Sequence, residues 1–204
     1  FAFVRTVFNF TEVGAKNDLT AADLNGKSFA IVSNLDHKAI TATAAIVNTV
    51  PGLESQSVTR FTHDGKTCYS GDAPEWTFEA SKTTGAYRVY TTDADGNRKY
   101  LTFLTKHHWE SASKGSLTLE DLNETNTNQD IYVVPNEDGT VYLTVRNGET
   151  ISYINLDNNT RNFWVFDQNH ENNKLLLCEK TDESLLNYNL RSPASSGWFT
   201  SNAP

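Results

Sequence analysis

Two short runs decide the fold of this chain: GAYRV at residues 85–89 and KYLT at residues 99–102. Both are rich in β-branched and aromatic residues, and the turn sequence Asp-Gly-Asn at 95–97 lies between them. Apolar runs of about five residues on either side of such a turn predict a β-hairpin. The pattern occurs again as GKSFAI with KAIT at 26–31 and 38–41, and as GTVYL with SYIN at 139–143 and 152–155. The leading glycines are 59 and 54 residues apart, so three hairpin units are predicted.

Further strands are predicted around each hairpin. An opening strand precedes the second and third hairpins at Trp76–Phe78 and Ile131–Val133, and the opener of the first is expected within Val4–Phe10. Another strand follows each hairpin near Val58, Leu117 and Leu175. The one helical stretch expected is short, at Asp18–Leu24. The sequence therefore predicts an all-β fold.

The three units favour a β-trefoil-like arrangement with enlarged loops. A single hairpin is marginal alone, whereas three hairpins that close on a common axis bury their apolar faces and leave few strand edges exposed. A β-sandwich with strands about 8–12 residues apart produces a similar pattern, and it stays open as the alternative.

Length and composition fit one globular domain. The chain has 204 residues with 38% hydrophobic and 21% charged residues, and its net charge is −8. We expect one domain over residues 1–185 with an N-terminal strand extension, followed by a tail or linker over 186–204 whose RSPASSG run is small and polar. The negative charge argues against a nucleic-acid partner. Membrane insertion is not expected either, since no apolar run approaches the length of about 18 residues that a span needs.

The second unit resembles a known family of modules. The runs WTF at 76–78, YRV at 87–89, KYLT at 99–102 and SLTL at 116–119 are similar to trefoil-like modules of very large, cell-wall-anchored surface proteins of gut Gram-positive bacteria. The opener DLNGKSFAIV at 23–32 also fits that family, and the similarity extends over Leu19–Lys180. Two departures fall in the third unit, at Asn155, where the family has Thr, and in the aromatic run Phe163–Phe166.

The resemblance implies a function outside catalysis. It implies a secreted, cell-surface binding module, monomeric within a larger multidomain chain and without a cofactor, that acts in an adhesin or captures a host protein. The implied partner is a host glycan or glycoprotein, immunoglobulins among them. Two alternatives stay open: a structural spacer without its own ligand, and a protease inhibitor or glycoside hydrolase. The inhibitor alternative requires a protruding reactive loop, for which Asn48–Gln56 is the candidate.

The candidate ligand-binding residues lie in two loops of the second unit. One loop contributes Asp93, Asp95 and Asn97, and the other contributes His107, His108 and Trp109. An indole face flanked by short hydrogen-bonding groups is the mixture that suits a sugar. No catalytic residues are assigned, because the sequence contains neither a Gly-x-Ser-x-Gly nor a His-Glu-x-x-His motif. No metal-ligating residues are assigned, because adjacent histidines on a strand point to opposite faces and cannot share a metal ion.

The chain has two cysteines, Cys68 and Cys178. Two are too few for a disulfide framework. They are expected at roughly equivalent positions of the first and third units, and as buried thiols, because Cys behaves as a small hydrophobe.

Overall fold

The structure, a computed structural model, describes residues 8–12, 21–47, 50–63, 65–104 and 114–180. Within these ranges the chain forms fifteen β-strands and one short α-helix, so the all-β prediction is confirmed. The strands join into one large antiparallel sheet system. The described part of the chain contains no helix long and apolar enough to cross a lipid bilayer.

The elements, in chain order, have the following bounds. The first seven are β1 (Phe8–Glu12), α1 (Ala21–Leu24), β2 (Lys27–Ser33), β3 (Lys38–Val47), β4 (Val50–Ser57), β5 (Thr59–His63) and β6 (Lys66–Gly71). The next five are β7 (Trp76–Ala80), β8 (Tyr87–Thr92), β9 (Arg98–Leu104), β10 (Lys114–Glu120) and β11 (Tyr132–Pro135). The last four are β12 (Val141–Asn147), β13 (Thr150–Leu156), β14 (Phe163–Phe166) and β15 (Leu175–Lys180), and two 3-10 helices lie at Thr127–Gln129 and Glu171–Asn173.

Six of these strands close into a ring. In order around it, β2 pairs with β7, β7 with β8, β11 with β12, β12 with β15, and β15 with β2. The remaining contact, between β8 and the start of β11, is the bridge between Tyr87 and Ile131, where each N–H donates to the other residue's carbonyl at 2.7 and 2.9 Å. Closing strands into a ring reduces the unpaired edge that they expose, which is how closed β structures limit edge-to-edge association.

Three hairpins extend from the ring and meet each other. They are β3–β4, β9–β10 and β13–β14. Their second strands come together, because β14 pairs with β10 through Gly115 and Val165 and with β4 through Phe163 and Leu53. The three hairpins predicted from the sequence are also present, because β2 pairs with β3, β8 with β9, and β12 with β13.

The core fills the ring with matched residue pairs. Phe29 faces Trp76, Tyr87 faces Ile131, and Val141 faces Leu175 at equivalent places in the three units. All six side chains are buried. Each large apolar side chain removed from water stabilises the fold by about 1.5–3 kcal/mol, so these pairs hold the ring together.

The pairing corrects the expected alignment of the first unit by one residue. Sequence comparison matched Gly26 with Gly85 and Gly139, whereas the structure matches Phe29 with Tyr87 and Val141. Gly26 has a φ of +74° and follows α1, where a left-handed residue ends a helix. Gly26 therefore ends a helix, whereas Gly85 and Gly139 lie in the turns that precede β8 and β12.

The expected opener of the first unit is also wrong. The strand at the N-terminus, β1, pairs with β15 and β6 rather than with β2. Its expected place beside β2 is taken by β15, the last described strand of the chain. The ring is thus closed by joining the two ends of the repeated sequence.

The first unit carries an insertion, the hairpin β5–β6, between β4 and β7. Tyr69 of β6 packs into a second apolar cluster with Ala30, Val32, Ala39 and Leu176. Position 39 corresponds to Tyr100 and Tyr153 in the other units, because all three face the same place on the preceding strand. The small alanine leaves room for the tyrosine of the insertion.

The two cysteines are buried thiols, as predicted, but their placement differs from the expectation. They flank one strand, because β1 pairs Thr11 with Cys68 and Glu12 with Cys178. Two strands separated by a third are about 9.5 Å apart, beyond the Cα separation of a disulfide. The one-residue offset also turns the two side chains to opposite faces of the sheet.

The candidate inhibitory loop lies mostly within the described residues, whereas the predicted domain boundary does not. Residues 50–56 of the candidate inhibitory loop belong to strand β4, which pairs with β3, so that part of Asn48–Gln56 is not a protruding loop. The single-domain boundary at residue 185 and the tail over 186–204 fall outside the described residues and stay predictions.

Candidate functional site

The predicted site in the second unit begins at the β8–β9 turn. The Asp93 carboxylate accepts the backbone N–H groups of Asp95 and Asn97 at 3.0 and 2.8 Å, and the side-chain amide of Asn97 at 3.3 Å. These hydrogen bonds, with that of the Asn97 N–H first, hold the pKa of Asp93 below its ordinary value. The Asp93 carboxylate therefore organises the turn, and Gly96 supplies the positive φ of +84° that the turn requires.

The other half of the predicted site, His107, His108 and Trp109, lies outside the described residues. The joint role of the two loops in ligand binding therefore stays a prediction. Asp95 and Asn97 are exposed on the described side of that site.

A second candidate site lies where the connection that returns to the ring passes the hairpin, a position at which the three units differ. In the second unit, the Gln129 side-chain amide donates to Thr102 Oγ1 at 3.0 Å and to the carbonyl of Asp121 at 3.0 Å. Its oxygen accepts the N–H of Asn123 at 3.0 Å. Gln129 and Thr102 are both 0% exposed. A buried carboxamide thus joins the hairpin to the connection that leads back to the ring.

The same connection is held by a buried ion pair. Arg88 Nη2 lies 3.0 Å from Asp130 Oδ1, and the two side chains are 8% and 5% exposed. The guanidinium also donates to the carbonyls of Asn126 at 2.9 Å and Glu124 at 3.3 Å. Asp130 in turn accepts the hydroxyls of Ser81 and Thr83. Both charges therefore have hydrogen-bonding partners in addition to each other.

The third unit repeats the arrangement with different residues. Asn155 Nδ2 donates to Asn173 Oδ1 at 2.8 Å, and Asn173 Nδ2 donates to the carbonyl of Gln168 at 2.9 Å. Asn155 corresponds to Thr102, because each lies two positions after the matched tyrosines Tyr153 and Tyr100. Asn173 corresponds to Gln129, because each lies two positions before a matched ring residue. Asn155, where the second unit has Thr102, thus pairs with an asparagine where the second unit has Gln129.

In the first unit the corresponding positions are Thr41 and Pro74. Proline has no side-chain amide, so this position cannot hold the carboxamide bond of the other units. The chain instead runs out into the β5–β6 hairpin and returns to the ring by the short connection 72–75. The place that two units fill from within is left open in the first.

A cleft of about 500 Å³ occupies this place. Its walls are residues 41–43 of β3, residues 54–56 of β4, the connection 72–75, and Lys180 at the end of β15. The volume lies within the range of about 300–1,000 Å³ that is typical of small-molecule sites. We refer to it below as the first-unit cleft.

A β-bulge shapes the wall that β3 contributes. Ile40 faces Ser55 and Ala44 faces Leu53, so three residues, 41–43, oppose the single residue Glu54. The second unit has no such irregularity at this place, because Thr102 faces Thr118 and Phe103 faces Leu117 in turn. Bulges redirect side chains and are common beside binding and active sites.

The cleft is polar and mainly acidic. Its charged residues are the exposed Glu54, Asp72 and Glu75, with Lys180 as the counter-charge. Thr41 Oγ1 donates to the carbonyl of Glu54 at 3.0 Å and accepts the N–H of Thr43 at 3.2 Å. Ser55 Oγ donates to the carbonyl of Arg161. The described residues hold no group of three or more His, Cys, Asp or Glu side chains placed to share a metal ion.

Sequence reasoning missed this cleft. The signal that could have found it is the residue two positions before each ring strand, which is a carboxamide at Gln129 and Asn173 but a proline at Pro74. The bulge left no comparable signal, because the residues of 41–43 are ordinary for a strand.

Comparison with known proteins identifies no family. No protein-family model matches the chain, and no curated protein matches it. Among solved structures, the lysenin pore is similar with 10% identity and a TM-score of 0.49, over 83% of this chain and 50% of that one. A β-1,3-galactosidase of glycoside hydrolase family 43 is similar with 10% identity and a TM-score of 0.48, over 90% of this chain and 34% of that one. The chain thus spans half or less of the length of these two proteins.

Proposed function

We propose that the ring and its three hairpins form a β-trefoil with an inserted hairpin in the first unit. The proposal rests on the three equivalent pairings that close the ring, of which Tyr87 with Ile131 is the central example. A β-sandwich packs two sheets face to face and needs no closed ring, so the pairing favours the trefoil.

The function that fits best is a non-catalytic ligand-binding module of an extracellular bacterial surface protein. The first-unit cleft supports it: a polar opening of about 500 Å³ lies on a scaffold whose interior is filled. Rigid scaffolds commonly present binding groups on the segments that connect their strands. The proposed partner is a host glycan or a host glycoprotein, immunoglobulins included, as the family resemblance implies.

The loops at 93–97 and 107–109 form a second proposed contact surface in the same function. Removing an aromatic anchor from an interface commonly costs about 2 kcal/mol or more. We therefore expect Trp109→Ala to weaken binding about 30-fold or more if this loop carries the ligand.

Glycan-array binding and immunoglobulin pull-down with the whole chain test the function. We expect a positive signal in one of the two assays that survives Lys82→Ala, a variant of an exposed residue that belongs to neither surface. Silence in both assays contradicts the binding function and favours the spacer. Replacing the module in its parent protein by an inert domain of equal length then tests the spacer, since full retention of adhesion is expected for it.

A further inference from the structure

We propose that the first-unit cleft binds an acetamido-bearing saccharide, with the acetamide placed where the other units hold their own carboxamides. This inference rests on the proposed binding function and specifies where the ligand lies and which group it presents. It differs from the two loops predicted from the sequence, because the second unit contributes none of the cleft residues.

The molecule itself indicates the chemistry of the occupant. At this place the second unit holds Gln129 against Thr102, and the third unit holds Asn173 against Asn155. Both occupants are carboxamides, and both donate and accept hydrogen bonds there. The hairpin residue of the first unit is Thr41, of the same type as Thr102, so it presents the same hydroxyl to whatever enters the cleft.

Thr41 retains capacity for a ligand. A hydroxyl has one donor and two acceptor positions. Its donor is used by the Glu54 carbonyl and one acceptor position by the Thr43 N–H, which leaves one acceptor position. Thr102 uses its hydroxyl in the same manner, because it donates to the Tyr100 carbonyl at 3.1 Å and accepts from the Gln129 amide. The donor that Thr102 accepts is a carboxamide N–H, and an acetamide N–H is the equivalent donor for the acceptor position that remains at Thr41.

The remainder of the cleft fits hydroxyl groups. The carboxylates of Glu54, Asp72 and Glu75 accept hydrogen bonds, and those to an ionised acceptor are about twice as strong as bonds between neutral groups. The Gln56 side chain adds both a donor and an acceptor. About 500 Å³ is also more space than a single carboxamide fills. A sugar ring that carries an acetamide and several hydroxyls supplies the missing group and the additional donors together.

The test is backbone-amide NMR of the whole chain during titration with the methyl glycosides of N-acetylglucosamine and N-acetylgalactosamine. The methyl glycosides of glucose and galactose are the matched controls, and N-acetyl-lysine methylamide and acetamide are the non-saccharide probes. We expect shifts concentrated at 41–43, 54–56 and 72–75 for the acetamido sugars and weaker or no shifts for the others.

Two variants test the hydroxyl directly. Thr41→Val keeps the shape and strand preference of the residue but removes the acceptor, and we expect binding about 3- to 10-fold weaker, the effect of one hydrogen bond. Thr102→Val removes the corresponding hydroxyl where the site is already filled, so we expect a lower melting temperature with unchanged sugar affinity. An equal loss of affinity in both variants would overturn the assignment.

The other outcomes are equally decisive. Equal binding of plain and acetamido sugars overturns the role of the acetamide, and stronger binding of N-acetyl-lysine methylamide overturns the saccharide in favour of a peptide or a cation. Shifts confined to 93–97 with the loop that follows β9 overturn the cleft while leaving the binding function intact. Absence of shifts at the cleft overturns this inference even when the glycan array or the pull-down is positive, whereas silence of those two assays bears on the function itself.

Discussion

Replacing Arg88 by methionine removes one half of the buried ion pair that fixes the connection between β10 and β11. The change keeps much of the aliphatic volume of the side chain but leaves the Asp130 carboxylate, 5% exposed, without its counter-charge. It also deprives the carbonyls of Asn126 and Glu124 of a donor. Breaking a buried pair by removing one partner costs about 3–5 kcal/mol, and we expect that loss in the free energy of unfolding.

The assay is urea unfolding followed by tryptophan fluorescence, with the thermal midpoint as a second measurement. For a domain of this size the expected loss corresponds to a decrease in Tm of about 6–20 °C. The matched control is Lys82→Met, which breaks an ion pair with Glu124 whose side chains are 80% and 52% exposed. Exposed pairs contribute about 0–1 kcal/mol, so this variant should unfold almost as the natural protein does.

A double-mutant cycle with Asp130→Asn distinguishes the pair from its surroundings. We expect the double variant to be clearly more stable than the sum of the two single losses, because the asparagine no longer leaves a charge buried. High salt should weaken the contribution of the exposed pair and change that of the buried pair little. If Arg88→Met costs no more than Lys82→Met, the network does not hold this connection and the reasoning is refuted.

Three further predictions follow from separate features. Gly52→Ala places a methyl group against the Trp164 ring and 2.8 Å from a backbone carbonyl oxygen. The free energy of unfolding measured in urea should therefore fall by about 1–3 kcal/mol. An unchanged urea midpoint would show that the ring has room to move. After exposure to oxidising conditions, Cys68 and Cys178 should both react with a thiol reagent in denaturant but hardly at all in the folded protein, because both thiols are free and buried. A disulfide between them in a non-reducing peptide map would contradict the strand register. The Thr140 hydroxyl and the Lys174 ammonium lower the pKa of Asp138 to about 2. Asp138 should therefore stabilise the fold above its ordinary pKa of 3.8 and lose that effect as the pH falls towards 2. Asp138→Asn should flatten the dependence of stability on pH in that window, and an unchanged dependence would contradict the contact.

The sequence predicts the second unit well because three signals coincide there. The run Trp76–Phe78 alternates, Tyr87–Thr91 is rich in aromatic and β-branched residues, and an Asx-rich turn separates it from Tyr100–Leu104. The structure places strands at all three runs, each extended by no more than two residues at either end. Local propensity, turn chemistry and long-range pairing agree in this unit, so each signal reinforces the others.

The first unit defeats the same reasoning because its pairing is decided by distant residues. The sequence near Val4–Phe10 resembles an opener, yet β2 pairs with β15, which lies at the other end of the repeated sequence. The insertion β5–β6 lies between Val58, where a closing strand was expected, and the ring strand β7. Nothing in a local pattern shows that a strand pairs with a partner more than a hundred residues away, since alternation specifies a face and not a neighbour.

The candidate site is hidden from sequence for a related reason. The first-unit cleft arises from what one unit lacks, and Pro74 gains meaning only when it is aligned with Gln129 and Asn173 across a register that the structure defines. In the second and third units the buried carboxamides bind the connections to the hairpins, so substitutions there are opposed by the cost of leaving a buried polar group without its partner. The first unit escapes this constraint, because its connection leaves the ring through β5–β6 and its bulge lines the first-unit cleft. The first unit can therefore differ from the other two at this position, and under the proposed binding function a ligand takes the role that the chain's own carboxamides have in the second and third units.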